Sequence, residues 1–330
     1  MSFLEVSGII KKNGEDLIIK GISFSHEKFR KIAIAGETGS GKTSLLKIVA
    51  GLVTPDEGQV FFKNERVKKV PEEKLIPGHP GIAYLSQQFE LPHYLRVEQV
   101  LQYANQLKEK EAKSLFELCQ IGHLMKRRTD ELSGGERQRI AMARLLIGSP
   151  SLLLLDEPYS NLDLIHKTTL KKIVHELGEQ HGISFILVSH DPLDTLSWAD
   201  EIMIMRDGKV IQRNLTQEVY YRPVNEYAAG LLGAYNLIDP EENGLFSKTA
   251  GIKKESGKIF ARPEDLHIAP SEKNAIRGKV SSVTFLGSYF DVEIVIPGGS
   301  ITVRTGNKTV VPGTTVFVTV ELGNAWRLPG

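Results

Sequence analysis

The stretch Gly36-Glu37-Thr38-Gly39-Ser40-Gly41-Lys42-Thr43 fits the pattern GxxxxGK[ST]. Glycines at that spacing let consecutive backbone N–H groups turn inward around phosphate oxygens. A helix beginning there adds the positive end of its dipole. Residues 36–43, with Ser44 beside them, are therefore candidate nucleotide contacts. The Lys42 ammonium suits the outer phosphates, and the Thr43 hydroxyl suits Mg2+. Leu152-Leu153-Leu154-Leu155-Asp156-Glu157 is an apolar run that ends in two acids. A buried strand would deliver Asp156 to the metal beside the phosphate loop. Glu157, one residue further, has the chemistry of a general base toward water. His190 follows a second apolar run, Ser184–Val188, at the strand end where open α/β sheets bind ligands. There its ring could hydrogen-bond a terminal phosphate and steady the attacking water.

These groups need a scaffold, and the chain is patterned to provide one. Lys31-Ile32-Ala33-Ile34-Ala35 is a strand leading into the glycine loop, and residues 44–50 read as the helix after it, with Gly51 to end it. Residues 1–30 read as short strands broken by turns such as Lys12-Asn13-Gly14-Glu15. Residues 89–145 carry helix formers at helical spacing, among them Val97, Val100, Leu101, Ala104 and Leu107. Residues 151–155 and 184–188 are short apolar runs suited to buried parallel strands. Strands alternating with helices indicate an α/β core. Beyond residue 237 the pattern changes to strict alternation: Phe290, Val292, Ile294 and Ile296 share one face, with Asp291 and Glu293 on the other. Val316, Val318, Val320 and Leu322 repeat it, and Pro297-Gly298-Gly299 and Pro312-Gly313 supply turns. This predicts a small antiparallel barrel starting near Tyr235-Asn236-Leu237-Ile238-Asp239-Pro240.

Composition narrows the class. The 330 residues suffice for two domains, and the net charge of +1 implies no broad attraction to nucleic acid or anionic lipid. Lys126-Arg127-Arg128 reads as a solvated helix end. The single cysteine, Cys119, excludes a disulfide scaffold, fits a reducing cytoplasm, and reads as a small core residue. Of the nine histidines, all but His190 read as ordinary surface residues. The opening MSFLEVSGII lacks a basic region followed by an apolar run, so no signal peptide is expected. No stretch approaches the roughly 20 apolar residues that cross a bilayer, so work at a membrane would go through a partner.

One more motif, Leu132-Ser133-Gly134-Gly135-Glu136-Arg137-Gln138-Arg139, lies between the phosphate loop and the acidic strand. With Ser160-Asn161-Leu162-Asp163 and His190 these motifs fall in the order of the ATP-hydrolysing subunits of ABC transporters, which the chain resembles over about residues 1–230. Tyr84-Leu85-Ser86-Gln87-Gln88 resembles that family's glutamine loop; Gln87 is the functional glutamine in the register set by Phe89-Glu90-Leu91-Pro92-His93, with Gln88 as the alternative. The resemblance implies ATP and Mg2+ as cofactors and a head-to-tail pair of copies with two ATP molecules between them. Ser133, Gly134 and Gly135 would cap the γ-phosphate held by the other copy. Asp163 would couple the two sites, and Gln87 would contact Mg2+ and the water. The family usually stacks adenine on an aromatic residue near the first strand turn; here that register falls at Asn13 in Lys11-Lys12-Asn13-Gly14, with no aromatic. In the family the region of Phe89, Leu91, Pro92, Tyr94, Leu95 and Val97 borders a groove for a helix of the membrane subunit, although packing within the subdomain accounts for most of these residues.

Three later segments, Glu218-Val219-Tyr220-Tyr221-Arg222-Pro223, Gly233-Ala234-Tyr235-Asn236 and Ala261-Arg262-Pro263-Glu264-Asp265, resemble the importer branch with an accessory OB-like (TOBE) domain. That branch includes sulfate, iron, polyamine, molybdate and sugar importers. The expected fold is an α/β P-loop NTPase domain of ABC type over residues 1–236, with a helical subdomain at about 89–145, followed by a small all-β OB-like barrel over 237–330. The expected function is the ATPase of an ABC importer, a homodimer on the cytoplasmic face of the membrane. It would bind a permease directly and a solute-binding protein indirectly, with no nucleic-acid partner. The alternatives are an exporter ATPase, a soluble ABC ATPase outside transport, and a module in which the C-terminal domain captures a small oxyanion or regulator.

Overall fold

Strands without a polar face form the centre of the first of two compact units, Met1–Asn214 and Leu215–Gly330. The computed structural model describes residues 3–68, 73, 77–160, 162–239, 258–270, 275–320 and 326–328, and the side chains of 179–181 are outside that description. In chain order the first unit contains β1 (Leu4–Asn13), β2 (Asp16–His26), β3 (Lys31–Ala35), α1 (Lys42–Val49), β4 (Glu57–Phe62), β5 (Glu65–Arg66) and β6 (Ile82–Leu85). Helices α2 (Val97–Ala104), α3 (Glu109–Leu118) and α4 (Gly134–Leu146) follow. Then come β7 (Leu152–Asp156), α5 (Leu164–His181), β8 (Ser184–Val188), α6 (Pro192–Leu196), β9 (Glu201–Arg206) and β10 (Lys209–Leu215).

The central sheet has the order β10-β9-β3-β8-β7-β6. β3 pairs in parallel with β8 and β9, β7 with β8, and β6 with β7. Every residue of β7 and β8 is buried, as expected for a parallel sheet covered on both faces. The parallel register places Asp156 opposite Val188, so the acids that follow β7 and the histidine that follows β8 emerge at one edge of the sheet. A second, antiparallel sheet has the order β2-β1-β4-β5. Its apolar face and α1 enclose one core, containing Leu4, Ile9, Ile32, Leu45, Leu46 and Phe62. The other face of the central sheet packs with α2, α3, α4 and α5 around Leu101, Leu115, Ile140, Leu153 and Leu177.

The N-terminal strands are longer than their sequence suggests. β1 and β2 form one hairpin of ten- and eleven-residue strands, closed where Asn13 faces Asp16. Irregularities at Val6/Ile9, Ile9/Ile10 and Lys11/Lys12 absorb the residues that break the alternation. α1 starts at Lys42 rather than Ser44, because Gly41 takes the N-cap. Cys119 is fully buried, and burial pushes its thiol up to about 12, which makes it inert. His26 departs from the surface reading: it is fully buried, with its Nε2 atom 3.1 Å from the Phe185 carbonyl oxygen. Leu91 and Val97 are core residues, whereas Tyr94 is 70% exposed. Among the described residues no helix is long and apolar enough to cross a membrane.

The second unit contains α7 (Thr216–Tyr221), α8 (Glu226–Leu231), β11 (Asn236–Ile238), β12 (Ile259–Ala261) and β13 (Leu266–Ala269). β14 (Ile276–Phe285), β15 (Phe290–Ile296), β16 (Gly299–Thr305), β17 (Thr315–Val320) and β18 (Trp326–Arg327) complete it. Its main sheet has the order β13-β17-β14-β15-β16, and the outer strands β13 and β16 come back alongside each other. Val292, Ile294, Ile296, Val316, Val318 and Val320 point into its core, as the alternation predicts, while Phe290 is half-buried. Leu322, Asn161 and Pro240 lie outside the described residues.

The division between the units falls at Asn214/Leu215, earlier than the 236/237 boundary read from the sequence, because α7 and α8 group with the β-rich unit. Arg262 supplies the physical reason. Its fully buried guanidinium donates to the carbonyl oxygens of Tyr220 (2.9 and 3.2 Å), Ala229 (3.1 Å), Gly233 (3.0 Å) and Ala234 (3.0 Å). It also lies 4.0 Å from the Tyr220 ring centre and 4.9 Å from that of Phe260. One side chain thus ties both connecting helices to β12. Burial lowers its pKa, and the nearby Tyr220, Glu264 and Asp265 oppose that shift.

Candidate nucleotide site

The glycine loop joins β3 to α1. Gly41 adopts φ 96°, a left-handed conformation that favours glycine, and a Cβ there would approach the Ile18 carbonyl oxygen at 2.9 Å. α1 therefore starts at the loop's last turn, with its N-terminal amides facing the loop. The Lys42 ammonium donates to the carbonyl oxygens of Gly36 and Glu37, both at 2.7 Å, and reaches the Ser40 Oγ at 3.4 Å. Burial lowers its pKa, while the carboxylates of Glu157, Asp156 and Glu37 pull the other way.

Across the loop, the Thr43 hydroxyl donates to Asp156 Oδ1 at 3.1 Å. Asp156 is buried at the end of β7, and its other oxygen accepts from the Tyr84 hydroxyl at 2.8 Å. A hydroxyl beside a buried carboxylate is a hard-oxygen donor set of the kind Mg2+ takes. Glu157 has φ 48°, an uncommon conformation for a residue with a side chain. It is fastened by its N–H to the Val188 carbonyl at 2.9 Å, while its own carbonyl accepts from Ser160 Oγ at 2.8 Å. Glu157 Oε2 then faces two more site residues. The His190 Nδ1 atom lies at 3.1 Å and the Gln87 amide nitrogen at 3.5 Å, the outer limit of a hydrogen bond. The neighbouring Gln88 instead lines a groove with Phe89, Leu91, His93, Thr129 and Arg137.

The loop carrying His190 is held from behind. Lys167 on α5 pairs with Asp191 at 2.5 Å and with the buried Asp194 at 2.7 Å, and Lys171 reaches Asp194 at 2.8 Å. Burial works against the Lys167 charge, but its bonds to Asp191 and Asp194 outweigh that and raise its pKa.

Ser133, Gly134, Gly135 and Asp163 form a second group at the starts of α4 and α5. Ser133 caps α4, accepting from the Glu136 N–H at 3.3 Å while Glu136 accepts from the Ser133 N–H at 2.9 Å. Those bonds, the Ser133 backbone one first, lower the Glu136 pKa. Asp163 caps α5 through the His166 N–H at 2.9 Å, and the His166 ring nitrogen lies 2.8 Å from its carboxylate. The backbone bond from His166 is the largest cause of its lowered pKa. A Cβ on Gly135 would run into the His166 ring, so the glycine permits the two helix starts to meet. Gln138 on α4 donates to the carbonyl of Pro158, the residue after Glu157.

Tyr84, His166 and Lys167 have no role of their own in the sequence motifs. Tyr84 and Lys167 meet their partners on other elements, and His166 lies just past the Ser160–Asp163 motif, where it bonds Asp163 and faces Gly135 of α4. At the turn where an aromatic was absent, Asp56 accepts from the Lys12 N–H at 2.6 Å and pairs with Lys11 at 3.3 Å, which pins the end of the hairpin.

Residues 19–160 match the ABC transporter family, and residues 259–328 match the TOBE domain. This chain is an ABC-type ATPase with a C-terminal TOBE domain. The spermidine/putrescine import ATP-binding protein PotA of Clostridium acetobutylicum is 29% identical over 311 residues, covering 89% of this chain and 87% of that protein. The cbiO1 protein of Clostridium perfringens, part of the ABC transporter complex cbiONQ, is 26% identical with a TM-score of 0.58, over 66% of this chain and 90% of that one. An ATP-binding cassette of an ABC transporter, solved in its ADP conformation, is 25% identical with a TM-score of 0.55, over 66% and 94%. The ABC ATPase therefore carries the nucleotide-binding fold in its first unit and the TOBE domain in its second.

Proposed function

We propose that this ABC ATPase powers solute uptake from the cytoplasmic face of a membrane, by ATP-driven closure of a homodimer and attack of water on the γ-phosphate. The observation that carries the reading is the convergence of His190 and Gln87 on one oxygen of Glu157, one residue after the Asp156 that bonds Thr43. In this reading the backbone amides of residues 36–44 and the Lys42 ammonium hold the β- and γ-phosphates. Thr43 and Asp156, with Gln87, would hold Mg2+, which when bound neutralises charge developing on the phosphoryl oxygens. Glu157 accepts a proton from the water, while His190 steadies the γ-phosphate and Gln87 the water. No covalent intermediate is needed, because positioning and charge stabilisation supply most of the acceleration in phosphoryl transfer.

Ser133, Gly134, Gly135 and Asp163 serve the partner copy in this reading. Ser133 and the N-terminus of α4 would cap the γ-phosphate bound by the other copy, and Asp163 would couple the two sites. Closure is then biased by the γ-phosphate and relaxed by hydrolysis. The groove beside Gln88 would receive a cytoplasmic helix of the permease, with a solute-binding protein acting through that permease. The spermidine/putrescine relative makes a polyamine the first cargo to test.

The test has two parts. Glu157→Gln is expected nearly to abolish turnover while ATP binding is retained; hydrolysis near the wild-type rate would remove Glu157 as the base. Lys42→Ala is expected to lose nucleotide affinity, and unchanged binding would remove Lys42 from the site. For direction and cargo, uptake of labelled putrescine should require an intact Glu157 in cells that depend on this protein.

A further inference from the structure

Tyr84 bonds into the site from a strand whose motif assigns it no role. It lies on β6, the edge strand of the central sheet, beside β7. The parallel register sets Tyr84 opposite Leu154, two residues short of Asp156, and the length of the phenol spans that offset. Its hydroxyl donates to Asp156 Oδ2 at 2.8 Å while Thr43 donates to Oδ1 at 3.1 Å, so each oxygen of the buried carboxylate has one O–H donor.

The two donors differ in role: Thr43 would itself be a ligand of the metal, whereas Tyr84 bonds only the carboxylate. A threonine hydroxyl has lone pairs for a cation besides its O–H, so Thr43 can serve as ligand and donor at once. Carboxylates that bind metals depend on hydrogen bonds of this kind to fix their orientation. Resting on the nucleotide-site reading above, the geometry points to Tyr84 as a positioning residue for metal binding: it fixes the plane of the Asp156 carboxylate so that Oδ1 stays turned toward Thr43. Tyr84 lies three residues before Gln87 on the same segment, so the strand that orients the metal carboxylate also leads into the glutamine facing Glu157.

The test uses the full chain with a non-hydrolysable ATP analogue and Mn2+, with metal in the ternary complex read by EPR. Tyr84→Phe keeps the ring and removes the donor. The half-saturating Mn2+ concentration should rise about tenfold, the lower end of the effect of losing such a partner, while analogue affinity in EDTA stays at the wild-type value. An unchanged Mn2+ requirement in a variant that binds the analogue normally overturns the proposal. So does an equal loss of analogue affinity in EDTA, which would make Tyr84 a support for the loop rather than for the carboxylate. Asp156→Asn supplies a second measurement: with the carboxylate gone, adding Tyr84→Phe should change the Mn2+ requirement no further, and an additive effect overturns the pairing. If wild-type protein with bound analogue takes up no Mn2+ at this site, it is the nucleotide-site reading that fails.

Discussion

The glycine-loop site and the Arg262 anchor both gather polar groups from distant segments, but they do so on opposite terms. Arg262 is fully buried and every bond of its guanidinium ends on a backbone carbonyl of its own unit. Glu157, Gln87 and His190 meet at 3.1 and 3.5 Å, with the His190 side chain 66% exposed. The first arrangement is complete without any other molecule, and it resolves the Arg-Pro-Glu motif as an anchor for the connecting helices. The second is looser and open to solvent, which fits the proposed function, in which these bonds would tighten around a reacting substrate. Polar residues that look equally special in a sequence are therefore separated by whether their bonding is already closed.

The contrast can be broken experimentally. The largest effect is expected at the open site: Glu157→Gln should lower steady-state ATPase activity by about 10^2- to 10^4-fold, the usual worth of a positioned base, with no fall in the thermal midpoint. A coupled loss of stability would mean that Glu157 is part of the structure in the way Arg262 is. Next, Arg262→Met should cost the TOBE unit about 3–5 kcal/mol, because several buried carbonyls lose their donor. Chemical denaturation should show it, with nucleotide binding by the first unit retained. Arg262→Lys should recover little, since a single ammonium cannot reach carbonyls spread over Tyr220, Ala229, Gly233 and Ala234.

A smaller effect is expected from pH. Burial lowers the His26 pKa in the folded protein, although its bonds to the Phe185 and Glu27 backbone oppose the shift. The unfolded chain therefore takes up this proton first as pH falls below about 6.5, and stability declines through the window below that value. Thermal midpoints measured between pH 7.5 and 5.5 should fall more steeply in the wild type than in His26→Phe. The smallest effect is expected for Glu27→Ala, which removes an exposed pair with Arg30 at 3.5 Å and should change stability by less than about 0.5 kcal/mol.

Much of the fold is legible in short stretches because its signals are local. Lys31–Ala35 and Ser184–Val188 occur as strands with the bounds their apolar runs suggest, and the alternation at Val292, Ile294 and Ile296 gives the buried face of β15. The early hairpin is less legible, because bulges at Val6/Ile9 and Lys11/Lys12 interrupt its period without ending it. The boundary at Asn214/Leu215 is illegible for a different reason: α7 and α8 resemble a helical continuation of the first unit, and only the buried Arg262 shows where they belong.

By itself the sequence determined the phosphate loop, the acids at the end of an apolar strand, and the change of architecture after the ATPase motifs. Each of these is written in a few adjacent residues, through glycine spacing or hydrophobic period. The tertiary structure alone decided that Tyr84 reaches Asp156 across 72 residues, that Gln87 rather than Gln88 faces Glu157 across 70, and that His166 fills the space Gly135 leaves. Those pairings depend on how parallel strands register and how two helix starts meet, and neither is fixed by residues that are neighbours along the chain.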